Sequence, residues 1–170
     1  MQFLRWAGGE RLIYYLLALV IVVIDQFTKA AVASCMQIGA SIALIPHVLE
    51  LTSARNNGAA WSMLQGQFTF FFIITVIVLI VVVYYMQTLG RRQALLGTAL
   101  GLIIGGTLGN FMDRLFRGEV VDFIHVYIGS YSFPVFNAAD SSLFIGVVLL
   151  IFYLFRDWRR ERADKGDRDE

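Results

Sequence analysis

Four long apolar runs separated by shorter polar stretches set the pattern of this chain, at about residues 12–32, 68–85, 94–111 and 139–155. A bilayer core about 30 Å thick takes roughly 20 residues of helix, because each helical residue advances about 1.5 Å. Each run is therefore expected to cross a membrane as a helix. The two longer connections, about residues 33–67 and 112–138, then share one side of the membrane. Pro46, Gly58, Gly118 and Gly129 mark turns within them. The termini and the short link between the second and third runs lie on the other side.

Composition agrees with lipid as the solvent. Hydrophobic residues make up 58% of the 170 and charged residues only 16%, against roughly 25% charged in an average soluble domain. The whole of 1–170 reads as a single integral membrane domain. A net charge of +1 gives no basic face for phosphates, which excludes nucleic acid as a partner. Arg5 and Arg11 precede the first run, Arg91 and Arg92 sit between the second and third, and Arg156, Arg159, Arg160, Arg162 and Lys165 follow the fourth. The positive-inside rule puts these three regions in the cytoplasm, as an even number of spans requires. Cys35, the single cysteine, allows no intrachain disulfide. The run Val32-Ala33-Ser34-Cys35 has the look of a lipoprotein cleavage box. The apolar run before it, however, exceeds the roughly 7–15 residues of a signal-peptide core. It is also broken by Asp25, Gln26 and Lys29, so a retained span is expected.

The third run carries Gly97, Gly101, Gly105 and Gly109 at four-residue intervals, with Gly106 beside them. Glycines on one helix face allow the close backbone approach that drives packing in lipid, which makes this run the expected centre of a bundle. The second run is rich in Val, Ile and Phe, has no ionisable residue, and is expected to face lipid.

Ionisable groups in a membrane are costly and point to function. Asp25 and Lys29 lie four apart near the outer end of the first run. Asn110, Asp113 and Arg114 share a face at the outer end of the third. Asn137 and Asp140 stand at the outer start of the fourth, and Asp122 sits in the preceding connection among Val120, Val121, Phe123 and Ile124. All converge on one depth. A structural role stands beside each: an interfacial ion pair for Asp25 and Lys29, a helix N-cap for Asn137 or Asp140, and a solvated pair for Asp113 and Arg114. Asp122 resists such a reading, because apolar neighbours raise the cost of its charge. His47 and His125 stand alone in the sequence, and no metal-ligand spacing or nucleophile elbow occurs. A transporter or channel lined by Asp25, Lys29, Asp113 and Asp140 requires polar groups throughout the membrane depth, and runs two to four are nearly bare below their outer ends. A scaffold held by the glycine ridge would leave Asp122 and Asp140 dispensable.

Four blocks in order resemble the lipoprotein signal peptidases (signal peptidase II) of bacteria. They are Asp25-Gln26-Phe27-Thr28-Lys29; Asn56-Asn57-Gly58-Ala59-Ala60-Trp61-Ser62; Gly105 to Arg114 leading into Val120-Val121-Asp122-Phe123; and Phe136-Asn137-Ala138-Ala139-Asp140-Ser141. Trp61 departs from the Phe of many members. The resemblance implies a four-helix transmembrane bundle with a small extracytoplasmic sheet and a short amphipathic helix, with residues 38–54 and 112–118 as their counterparts. It implies an aspartyl protease of the cell inner membrane with both termini cytoplasmic. Such an enzyme cuts diacylglyceryl-modified prolipoproteins before the lipidated cysteine, with Asp122 and Asp140 as the catalytic pair. Asn56, Asn110, Arg114 and Asn137 would position substrate and aspartates, and Asp25 and Lys29 would support the site. No cofactor or metal is implied. The partners are the lipid-modified substrate and membrane lipids, and the protein is expected to be a monomer.

Overall fold

A computed structural model describes residues 9–58, 63–90 and 93–166. Arg5, Trp61, Arg91, Arg92 and the side chains of Arg11 and Lys165 lie outside the described set. The elements follow as α1 (Gly9–Cys35), β1 (Ser41–Ile45), β2 (Leu49–Asn56), α2 (Phe68–Thr88), α3 (Ala94–Arg117), β3 (Val120–Ile128), β4 (Tyr131–Ser132) and α4 (Ala138–Gly166). All four helices are long and apolar enough to cross a membrane.

α3 is the axis of the bundle and contains most of its buried positions. Its glycines explain how. Gly97, Gly101, Gly105 and Gly109 face α1, and a Cβ added at Gly105 would lie 2.8 Å from Ile21 Cβ and 2.9 Å from the Ala18 carbonyl oxygen. Gly106 faces the other way, onto Leu143 of α4. Gly146 of α4 answers it, since a Cβ there would lie 2.9 Å from the Ala99 carbonyl oxygen. Small residues thus let both neighbouring backbones close on α3. Away from the sheet, the core gathers Ala18, Met86, Leu96, Leu100, Ile104 and Tyr153 from all four helices.

The third helix runs past the expected end at Phe111. Residues 112–117 form its last turns rather than a separate short helix, and Gly118 closes it in the left-handed conformation (φ 78°), its N–H donating to the Arg114 carbonyl. The expected connection 112–138 also carries more regular structure than a loop. β3 and β4 complete an antiparallel sheet of order β1-β2-β3-β4, so the sheet is not confined to residues 38–54. β2 pairs with β3 from Leu49↔Val126 to Asn56↔Val120. The sheet leans on the end of α1 through a cluster of Val32, Val121 and Phe123. That contact brings β3 over the ends of α1, α3 and α4.

Candidate active site

The first layer of the site is an ion cluster shared by α1 and α3. Lys29 Nζ lies 2.8 Å from Asp25 Oδ2 and 3.1 Å from Asp113 Oδ2, and all three side chains are fully buried. Such burial is tolerable only because the charges pair and their remaining lone pairs are satisfied. Asp25 Oδ1 accepts from the Ala139 backbone N–H at 2.9 Å, and Asp113 Oδ2 accepts from the Val121 N–H at 3.1 Å. The cluster therefore ties the start of α4 and the start of β3 to the bundle. Gln26 donates to the Gly109 carbonyl at 3.0 Å and to Asp113 Oδ1 at 3.3 Å. Asp113 is thus no solvated partner of Arg114. It is a buried partner of Lys29, with Arg117 3.6 Å away on its other oxygen.

Two asparagines form the second layer. Asn110 accepts from Lys29 Nζ at 2.9 Å through Oδ1 and donates to Asp140 Oδ1 at 2.6 Å through Nδ2. Asn137 caps α4, as the polar residue before an apolar run suggests, because its Oδ1 accepts from the Asp140 N–H at 2.9 Å. Asp140 Oδ2 returns a bond from the Asn137 N–H at 3.3 Å, closing a reciprocal capping box. The cap does not exhaust the residue. Asn137 Nδ2 donates to Asp122 Oδ1 at 2.6 Å and to Asn110 Oδ1 at 3.1 Å.

Asp122 and Asp140 stand on these asparagines. Asp122 comes from β3, opposite Ala54 of β2, and its Oδ2 accepts from Asn56 Nδ2 at 3.1 Å. Burial pushes its carboxyl up to about 6, and the neighbouring Asp140 charge pushes the same way. Hydrogen bonds from Asn56 and Asn137 and the Lys29 charge oppose the rise. Arg114 donates to the Gly58 carbonyl at 3.1 Å and lies over the Phe71 ring at 4.7 Å. Its Nε is buried with no hydrogen-bond partner among the described residues.

These groups line a cavity of about 1210 Å³. Its polar wall includes Asn56, Asn110, Arg114, Asp122 and Asp140. Its apolar wall is built by Phe71, Ile74 and Val78 of α2 and by Leu143 and Phe144 of α4. α2 therefore does more than face lipid, since one of its faces walls the cavity. His125 is not alone either. Its Nε2 lies 2.8 Å from Ser132 Oγ, and it stacks at 4.4 Å on Tyr127.

The structure thus brings together all eight side chains singled out from the sequence: Asp25, Lys29, Asn56, Asn110, Arg114, Asp122, Asn137 and Asp140. Asp113 and Gln26 complete the network. The sequence leaves Asp113 between a place at the common depth and a solvated pair with Arg114, and gives Gln26 only as a break in the first run and a member of its block; an amide inside an apolar run beside Asp25 is the signal for its role.

Four helices long and apolar enough to cross a membrane, with two carboxylates facing a cavity at the sheet end, define a multi-pass membrane protein with a candidate active site. The family model described as signal peptidase (SPase) II matches residues 17–156, and the chain belongs to that family of membrane proteases. It is 54% identical over 164 residues to the lipoprotein signal peptidase of Anoxybacillus flavithermus (strain DSM 21510 / WK1), covering 96% of this chain and 95% of that protein. It is 56% identical over 149 residues to that of Geobacillus thermodenitrificans (strain NG80-2), covering 87% and 93%. A bacterial membrane enzyme solved by the in meso method at 2.3 Å resolution superposes with a TM-score of 0.81 at 51% identity, covering 85% of this chain and 88% of that one.

Proposed function

We propose that this protein is an aspartyl endopeptidase that removes the signal peptide from diacylglyceryl-modified prolipoproteins, cutting before the lipidated cysteine. The relatives' shared name supports the substrate class. The observation that carries the aspartyl mechanism is Asn137, one side chain that donates to Asp122 and accepts from the Asp140 N–H. Two carboxylates facing one cavity resist double ionisation and share a proton. The ionised member takes a proton from water as that water attacks the scissile carbonyl. The protonated member donates a hydrogen bond to the carbonyl oxygen as negative charge builds there, and later passes a proton to the leaving amine. The two titrate as a pair.

The remaining residues hold this geometry. Asn56, Asn110 and Asn137 each present an N–H to a carboxylate oxygen. Each fixes the rotamer of its acceptor, and the bonds from Asn56 and Asn137 favour the ionised form of Asp122. Arg114 Nε, buried and without a hydrogen-bond partner among the described residues, offers a donor to a substrate carbonyl. Asp25 and Lys29 orient Asn110 and anchor α4. The apolar cavity wall between α2 and α4 receives the signal helix and the acyl chains.

On this reading the chain is a single membrane domain, active as a monomer among membrane lipids. It resides in the inner membrane with both termini cytoplasmic and the site at the outer face. Incubating purified protein with matched prolipoproteins, one diacylglyceryl-modified and one not, tests it. Cleavage before the cysteine of the modified substrate alone supports the assignment, and equal cleavage of both removes the lipid requirement.

A further inference from the structure

Strand β1 lies at the edge of the sheet, with β2 as its only sheet neighbour among the described residues. Soluble proteins guard such an edge with charge, because its unpaired backbone groups recruit other strands. This edge has no such guard. Between Lys29 and Glu50 the chain contains no Asp, Glu, Lys or Arg, a stretch that includes the end of α1, all of β1 and the turn into β2. Ile38 is 70% exposed, Ile42 53% and Ile45 52%, with Leu44 and Val48 comparable.

The hairpin has two unlike faces, and the register tells them apart. Ser41 lies opposite Thr52, and Ala43 opposite Glu50, which in turn lies opposite His125. That face is polar and internally bonded: Ser41 and Thr52 hydroxyls are 2.9 Å apart, and Tyr127 donates to Glu50 at 3.3 Å. The other face is apolar. Ile42 lies opposite Leu51 and Ile45 opposite Leu49, and directly opposed residues of an antiparallel pair project to the same side. Leu51 packs against the cluster of Val32, Val121 and Phe123, and Val32 belongs to the membrane-crossing part of α1. Ile42 therefore projects on the side of the sheet that meets the membrane helix. Apolar exposure runs from Ile24 and Phe27 on α1, through Ile38, to Ile42, Ile45 and Val48. This makes the hairpin face a continuation of the lipid-facing surface of the bundle. The unpaired edge backbone sets the depth, because hydrocarbon does not tolerate it and the headgroup level does.

We propose that the apolar face of the β1–β2 hairpin seats in the headgroup–acyl boundary of the leaflet on the sheet's side. The bilayer is then the partner that fixes the height of the sheet, and with it Asp122 on β3, above the membrane. The effect on cleavage rests on the catalytic reading of Asp122. The lipid contact does not.

Two adjacent positions on opposite faces test the contact. In a Cys35→Ser background, Ile42→Cys and Ala43→Cys each carry a small environment-sensitive fluorophore, with the protein in vesicles of phosphatidylethanolamine and phosphatidylglycerol. Nitroxide lipids labelled near the headgroup quench position 42 several-fold more than position 43, and aqueous iodide shows the reverse order. Equal quenching at both positions overturns the proposal. So does a position 42 shielded from both quenchers, which means that protein, such as a second copy of the chain, covers the face. This arm needs no activity. In the second arm, Ile42→Glu/Ile45→Glu lowers cleavage in vesicles about tenfold, as two charges at the interface demand, and leaves cleavage in detergent within about twofold. An equal loss in both media means the pair disturbs the fold and overturns the height-setting role.

Discussion

Lys29 Nζ donates to Asn110 Oδ1 at 2.9 Å, and this bond decides which end of the Asn110 amide faces Asp140. With its oxygen held by the ammonium, the amide turns Nδ2 toward Asp140 Oδ1, at 2.6 Å. A charge one residue behind the cavity wall thus sets a hydrogen bond inside it.

Lys29→Met strands Asp25 and Asp113 as buried carboxylates without their shared cation. Breaking a buried pair in this way costs about 3–5 kcal/mol. Thermal unfolding in detergent is expected to shift down by many degrees, and Lys29→Met/Asp25→Asn/Asp113→Asn is expected to recover part of the loss. A Tm for Lys29→Met equal to wild type contradicts the buried cluster.

Asn137 combines a cap and a bridge, and the two are separable. Asn137→Ala loses both, with about 1 kcal/mol from the cap alone. Asn137→Ser keeps an oxygen for the Asp140 N–H and loses the donor to Asp122. It is expected to hold a Tm near wild type while cleavage falls by about two orders of magnitude, within the range of a lost positioning contact. Retained cleavage in Asn137→Ser reduces the residue to a cap.

Gly109 packs where three elements meet. A Cβ there would lie 2.6 Å from Asp25 Oδ2 and 3.1 Å from Ala139 Cβ. Gly109→Ala therefore pushes on the ion cluster and is expected to cost about 1–3 kcal/mol, the usual range for overpacking. A full Tm and full activity in Gly109→Ala argue against the close contact of α1, α3 and α4.

The Asp122 carboxyl, raised to about 6, sets a sign for pH dependence. Between its ordinary value and 6 the folded chain holds a proton that the unfolded chain has released. The contribution of this group to stability is therefore greatest at low pH and is lost as pH rises through 6. If the proton shared by the pair is needed, kcat/KM falls on the alkaline side once the pair loses it, above about 6. Asn56 donates to Asp122 Oδ2 and favours the charged form. Asn56→Ala is expected to move that alkaline limb to higher pH, and a limb that moves lower contradicts the hydrogen-bond assignment.

The bundle was legible in the sequence because helix spacing is local. The i, i+4 placement of Asp25 and Lys29 and the glycine interval of α3 each follow from one segment read alone. What escaped depends on contacts between segments. Asp113 resembled a surface partner of Arg114 because its true partner, Lys29, arrives from another helix. The run Val120–Ile128 is mostly apolar and short, a pattern that leaves strand and buried loop equivalent, and only its pairing with β2 settles it. Asn56 and Asp122 are brought together by that pairing across 66 residues of sequence. The family resemblance implied one site for both, where periodicity had nothing to say. Spacing alone made Asn137 legible as a cap, because the cap is local; its place beside the aspartates came only from the family resemblance, because the bridge is not local.

Joint action of Asp122 and Asp140 on the scissile bond is put to the test by cleavage of a diacylglyceryl-modified prolipoprotein with Asp122→Asn and Asp140→Asn. Each amide keeps the shape of the carboxyl and cannot share its proton. Both variants are expected to fold with a Tm near wild type and to bind the substrate, and each is expected to lose cleavage by several orders of magnitude, as removal of an acid–base group does. Either variant cleaving within about tenfold of wild type contradicts the paired-aspartate mechanism.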